Sequence, residues 1–315
     1  MQYASFEWFA MSFLTKKSLL CAALGSLILL FLIAGERIHR PGHEKEDVST
    51  GVSEQRARTI HLAYVLSLRN ISNEVISHGE LHVLSPLSAT SFQSRVGLRA
   101  DHPYEMRSDP PAENVMVFRW EEIPPFATRI FRIRTAVELR EEPLEFMGTD
   151  LDSYLAPEPF MESDHEEIRA LAASLESVSS LQTIENFFSW VSEHIVYTGY
   201  AGKTGGALFA LEQRRGDCTE FASLFVALCR AIGIPSRMMG GFMVSDSQAL
   251  DLGNYHNWAE FFYEGQWRVA DPQQKRFMER EDNYIAFHVS RPSEIQERSL
   301  VLQLEGTGLR VGLNR

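Results

Sequence analysis

Cysteine is scarce: three in 315 residues, at positions 21, 218 and 229. Cys218 and Cys229 lie eleven residues apart on one predicted helix, roughly 16 Å along its axis at about 1.5 Å per residue. A disulfide needs Cα atoms within about 7 Å. No pair can close within this segment, so the fold does not rely on disulfides. No Cys/His cluster has zinc-ligand spacing, and neither a metal nor a cofactor is expected. Positive charge is also short, with 30 Lys+Arg against 42 Asp+Glu and a net charge of −12. An acidic chain repels phosphate backbones. Without a basic patch interleaved with aromatics, nucleic acid is excluded as an expected partner. Internal repeats and low-complexity segments are absent. What remains is ordinary globular composition, 44% hydrophobic and 23% charged. The length suits two domains better than one.

Long apolar runs are lacking with one exception. Ser18 to Gly35 (SLLCAALGSLILLFLIAG) is almost unbroken over 18 residues, and Lys16 and Lys17 precede it. A spanning helix needs about 20 residues, with a minimum near 17, and a signal-peptide core about 7–15. The expected arrangement is a cytoplasmic N-terminus at 1–17, a transmembrane helix or signal anchor at 18–35 and a flexible stalk at 36–56. Lysines on the N-terminal side keep that end in the cytoplasm and the bulk of the chain outside it. The alternative is a cleaved signal and a secreted protein, although Ile33-Ala34-Gly35 is a poor cleavage site. Met11 is an alternative start.

Residues 57–140 read as strands. Ile60, Leu62, Tyr64, Leu66 and Leu68 alternate with less apolar residues, the period of a half-buried strand. Leu81 and Val83, Val115 to Trp120, and Phe131 to Leu139 give three more, with Pro and Asn turns between. This predicts a small β-sandwich. Residues 141–162 carry Pro143, Gly148, Pro157 and Pro159 and suit a linker. From 163 to 290 the period changes. Ser163 with Glu166 is a capping-box pattern ahead of a stripe of Ile168, Leu171 and Leu175. Ile184, Phe187, Phe188, Val191 and Ile195 form a second helical stripe. Cys218 to Ile232 forms an amphipathic third helix, ended by Gly233 and Pro235. Strands follow from Ser236, with a hairpin at Glu264-Gly265, and residues 291–315 read as C-terminal strands or a tail.

Cys218 follows Gly216-Asp217 and opens the third helix. Helix N-termini favour anions, and a thiolate there is the reactive form of cysteine. Gly216 lets the chain turn and Asp217 can cap the helix. Cys229 points into the core, with no base near it. His256 opens a strand, HNWAEFFY, and shares a face with Trp258, Glu260 and Phe262. Asp271 closes the next strand, QWRVAD. A two-residue turn pairs Tyr263 with Gln266 and Trp258 with Asp271. His256 then lies diagonally beside Asp271 on one face. A slip of one residue would separate them.

The stretches GDCTEFASLFVALCRAIGIPSR, HNWAEFF and QWRVADPQ, in this order, resemble the core of the transglutaminase-like superfamily over about residues 160–290. The resemblance implies an α+β, papain-like fold. In it the Cys helix packs on an antiparallel sheet, here preceded by the β-sandwich and the N-terminal transmembrane helix. It also implies that Cys218 is nucleophile, His256 its base and Asp271 the acid that orients the His. The calcium sites of the animal crosslinking enzymes have no counterpart. The implied chemistry is attack on an amide carbonyl, an acyl thioester, and transfer to water or an amine. The implied partner is a protein or peptide substrate. The Cys218 amide is the expected oxyanion donor; Tyr197 and Trp258 are candidates for the second donor or for the pocket. A membrane-anchored binding or scaffold module with a silent site is the alternative. A zinc amidase gains no support from the His spacing.

Overall fold

The computed structural model describes residues 57–107, 114–145, 150–200, 204–290 and 300–314. The expected cytoplasmic N-terminus, membrane helix and stalk at 1–56, and residues 291–299 of the C-terminal segment, lie outside the described residues. Among the described residues no helix is long and apolar enough to cross a membrane.

The first part of the chain supplies strands β1 (Ala57–Asn70), β2 (Ile76–Leu84), β3 (Gln93–Ala100), β4 (Glu105–Met106), β5 (Val115–Ile123) and β6 (Thr128–Arg140). Alternation sets β1 and β6. Ile60, Leu62, Tyr64, Leu66 and Leu68 are buried, as are Phe131, Ile133, Val137 and Leu139. The two strands pair antiparallel from Ala57↔Arg140 to Arg69↔Thr128. β3 was not foreseen. A register shift between Arg95 and Gly97 breaks the period that would have marked it.

The second part begins with α1 (Glu166–Leu175), α2 (Ser180–His194), β7 (Val196–Tyr197), α3 (Gly206–Gln213), β8 (Arg215–Gly216) and α4 (Cys218–Ala231). Helix α1 is capped by His165, not by Ser163. The first helical bond runs from Arg169 N–H to the His165 carbonyl, and the Ser163 N–H bonds instead to Met161. Helix α4 is not amphipathic in its setting, because Cys218 to Arg230 are all buried. The side expected to face water is covered by α1, α2 and the unforeseen α3.

The chain continues through β9 (Ser236–Met243), β10 (Gln248–Ala249), β11 (Tyr255–Tyr263), β12 (Gln266–Asp271), β13 (Arg276–Phe277), β14 (Tyr284–Ser290), β15 (Val301–Leu304) and β16 (Leu309–Asn314). An antiparallel sheet in the order β13-β12-β11-β9-β14 carries α4 on one face. Met238, Ala259 and Phe261 pack toward α4. Met239, Trp258, Val269, Tyr284 and Ala286 pack on the other face, with Phe92. The β11–β12 turn has positive φ at Glu264 (49°) and Gly265 (80°), the geometry of a two-residue type I′ hairpin.

The sandwich is completed from the far end of the chain. β16 and β10 pair with β1, and β15 pairs with β2. The layers are therefore β10-β1-β6-β3, with β16 also on β1, and β15-β2-β5-β4. Their core takes in Phe242, Val244, Leu250, Tyr255, Ile285 and Phe287 from the second part. The described residues between 57 and 314 belong to one compact unit.

Candidate active site

Three local devices fix the start of α4. The Asp217 carboxylate accepts the Thr219 N–H at 2.8 Å. Glu220 completes a capping box by accepting the Asp217 N–H at 2.9 Å. Its other oxygen accepts the Gly205 N–H at 2.8 Å, which ties α3 to the same turn. Burial pushes the Glu220 carboxyl above its usual range against the pull of these N–H donors. Gly216 is required by space, since a Cβ there would overlap the Cβ of Glu220. Cys218 thus sits in the first turn of α4, held from three directions.

The thiol keeps 3% of its surface exposed. Polar groups of β11 lie against it. The Asn257 N–H donates to Sγ at 3.3 Å, and the sulfur of Cys218 helps to hold the proton on the His256 ring. The Asn257 Nδ2 donates to Thr219 Oγ1 at 3.0 Å and locks β11 onto the first turn of α4. His256 Nε2 lies 2.7 Å from Asp271 Oδ2, which leaves Nδ1 for the sulfur. The hairpin ladder runs from Tyr263↔Gln266 to Ala259↔Ala270; its next step sets Trp258 opposite Asp271. Asp271 is 1% exposed. It accepts two further bonds, from the Tyr284 hydroxyl at 2.9 Å and the Gln274 N–H at 3.1 Å.

Burial alone would disfavour the imidazolium. Asp271, and then Cys218, outweigh it and hold His256 up at about 10. Tyr284 is pushed well above its ordinary range by burial and by the Asp271 carboxylate, so it stays a neutral donor. Cys229, wholly buried, is also pushed far up by desolvation.

The other two residues singled out in the sequence are placed differently. Tyr197 on β7 pairs with Gly216 on β8, so its backbone lies beside the turn before Cys218, and the residue is 52% exposed. Trp258 is buried behind His256, between that ring (6.4 Å between centroids) and Tyr284 (5.1 Å). Its Nε1 finds no hydrogen-bond partner among the described residues. Asn257, Glu220 and Tyr284 were not read from the sequence. Asn257 adjoins the marked His, but nothing local distinguishes Tyr284 from a core tyrosine. Among the described residues no group of three or more His, Cys, Asp or Glu converges to hold a metal ion.

Parts of the chain are similar to known proteins. Residues 169–272, which contain Cys218, His256 and Asp271, match the transglutaminase-like superfamily core. Over 107 residues the chain is 31% identical to the uncharacterized protein ML0607 of Mycobacterium leprae. That match covers 32% of this chain and 37% of the relative, so the chain spans little more than a third of that protein. A solved structure of a proposed cysteine protease from Cytophaga hutchinsonii superposes with a TM-score of 0.56 at 15% identity, covering 82% of this chain and 92% of the other. At that identity the likeness is one of fold. The periplasmic domain of TgpA from Pseudomonas aeruginosa is more distant, with a TM-score of 0.36 at 17% identity over 70% of this chain and 88% of the other.

Proposed function

We propose, taking a transglutaminase-like core at residues 169–272 as the premise, that this protein is a cysteine enzyme acting on amide bonds as a peptidase, amidase or transamidase. The observation that carries the reading is the His256–Asp271 hydrogen bond of 2.7 Å next to Cys218, whose sulfur accepts the N–H of the residue after His256. In the first half-reaction the Cys218 sulfur attacks the amide carbonyl. The C–N bond breaks as His256 passes its proton to the leaving amine, and an acyl thioester remains. In the second half-reaction neutral His256 takes a proton from water or an amine, which attacks the thioester and frees the sulfur. Asp271 keeps the ring turned toward the sulfur and supports its charge. The Cys218 amide at the helix start serves the oxyanion, with Tyr197 at the mouth of the site. The substrate is a protein or peptide. Residues 18–35 hold the chain in a membrane, with the catalytic part on the extracytoplasmic side.

The near closure of the thiol, 3% exposed, favours a second reading, a silent scaffold. One experiment separates the two. Purified residues 57–315 are treated with a thiol-directed amidase probe and the modified cysteine is mapped by mass spectrometry. Labelling of Cys218 that disappears in Cys218→Ala supports the enzyme. Labelling that persists or moves to Cys229 refutes the assignment, and a wild-type protein that resists the probe leaves the scaffold.

A further inference from the structure

Asn257, Gly240 and His288 form one row across three strands, with Asn257↔Gly240 between β11 and β9 and Gly240↔His288 between β9 and β14. Directly paired residues point to the same face of a sheet. His288 therefore faces the α4 side, as do Asn257 and, two residues earlier, Tyr255. The bulge between Ala286 and His288 makes this so. Strict alternation from Ala286 would send His288 to the opposite face.

Gly240 supplies the room. A Cβ there would overlap both the Tyr255 hydroxyl and the His288 ring, so these two side chains close over its backbone. Tyr255 Oη lies 3.3 Å from His288 Nε2, and Ser290 Oγ lies 3.1 Å from the same nitrogen. Tyr255 and Ser290 are buried and His288 is half-buried. Burial pushes His288 down to about 4, so the cluster offers hydrogen bonds without charge at neutral pH. Phe242 and Phe287 beside it make a charged guest costly to desolvate. The side chain of Asn257, on the same row and face, is 5% exposed, and its Oδ1 has no hydrogen-bond partner among the described residues.

The other end of the row is the nucleophile, because the Asn257 N–H touches the Cys218 sulfur. Neighbouring strands lie about 4.8 Å apart, which sets the hydroxyl and imidazole over Gly240 about one strand spacing from Asn257. Asp271 reaches His256 from the opposite flank of β11, on β12. That flank is committed. His256 must reach the leaving amine, and by microscopic reversibility the acceptor enters where the amine left. The β9–β14 flank is left for the acyl part that stays on sulfur.

We propose that Tyr255, His288 and Ser290 form the acyl-side subsite of the Cys218 centre and bind an uncharged amide, a peptide main chain or a carboxamide, next to the carbonyl under attack. The hydroxyls of Tyr255 and Ser290, which meet at His288 over Gly240, and the unfilled Asn257 acceptor on the same face match the C=O and N–H of such a group. This inference rests on the proposed cysteine chemistry.

The test compares two reagents with one warhead, chloroacetone and acetyl-Ala-Ala chloromethyl ketone, on residues 57–315. The ratio of their second-order rates with Cys218 measures what the acyl-side peptide contributes. The wild type is expected to prefer the peptidyl reagent at least tenfold. Tyr255→Phe and His288→Gln should each lower the ratio about fivefold, the worth of one neutral hydrogen bond. Their chloroacetone rates should stay within about twofold of wild type, which also reports an intact fold. The subsite is overturned if the wild type shows no preference, if neither variant changes the ratio, or if both rates fall together as for a merely structural residue. A wild-type Cys218 that reacts with neither reagent instead overturns the enzyme reading beneath it.

Discussion

Asp271 accepts hydrogen bonds from His256, Tyr284 and Gln274 while almost wholly removed from water. A buried carboxylate survives only where its lone pairs are filled. Tyr284→Phe removes one donor to a charged acceptor and keeps the ring against Trp258. It should destabilise the protein by about 1.5–3 kcal/mol, read by urea denaturation; a loss below about 0.5 kcal/mol would mean that the hydroxyl is dispensable. The pH dependence of His256 has a definite sign. Its folded value, about 10, lies above the unperturbed 6.5, so the folded state holds the proton more tightly than the unfolded chain. The stability this adds is fully present below about pH 6.5 and is lost as pH rises through about 10. The unfolding free energy of wild type minus that of His256→Gln should therefore shrink between pH 7 and pH 10. A gap that stays flat from pH 7 to pH 10 would mean that the folded ring is neutral.

Helix α4 shows what one element must do for the site. Its first turn aims a sulfur and the rest of it is buried on every side. Gly216→Ala should show how tightly the two tasks are coupled, because the added methyl meets the Cβ of Glu220 and the capping box cannot stay in place. A loss of about 1–3 kcal/mol is expected. The labelling rate of Cys218 should fall at least tenfold while the protein is still folded by circular dichroism; an unchanged rate would make the capping box a matter of stability alone. This element was largely legible in the sequence. Gly216, Asp217 and the spacing of Phe221, Leu224, Phe225 and Leu228 marked its start and its packing face. The β11–β12 register was legible too, because a two-residue turn leaves one pairing. Helix α3, which buries the outer side of α4, was not. Gly206–Gln213 has no polar face to give it a stripe. His288 was hidden for another reason, since the bulge that turns it toward the α4 face leaves no local mark.

At the scale of the whole molecule the boundary in the sequence, strands before residue 140 and helices after 163, is crossed by the core of the sandwich. Phe242, Tyr255, Ile285 and Phe287, from the sheet that carries His256 and Asp271, are buried in the sandwich with Tyr64, Leu84 and Phe118. β15 and β16 return to β2 and β1. Contacts between residues more than two hundred positions apart cannot be read from periodicity, which is local. The shared core has a thermodynamic consequence. Two domains with separate cores melt as two transitions, whereas elements that bury one another's apolar surface unfold together. Residues 57–315 should melt in a single calorimetric transition. Residues 150–290 alone, with the faces of Phe242 and Phe287 uncovered, should not give a cooperative one. Phe287→Ala, which removes the ring that touches both Tyr64 and Phe242, should cost about 3–5 kcal/mol and lower that single transition without splitting it. If the variant melts in two steps, with the helical signal lost at the wild-type temperature and the strand signal earlier, the sandwich is a separable domain and the sheet with His256 and Asp271 does not depend on it.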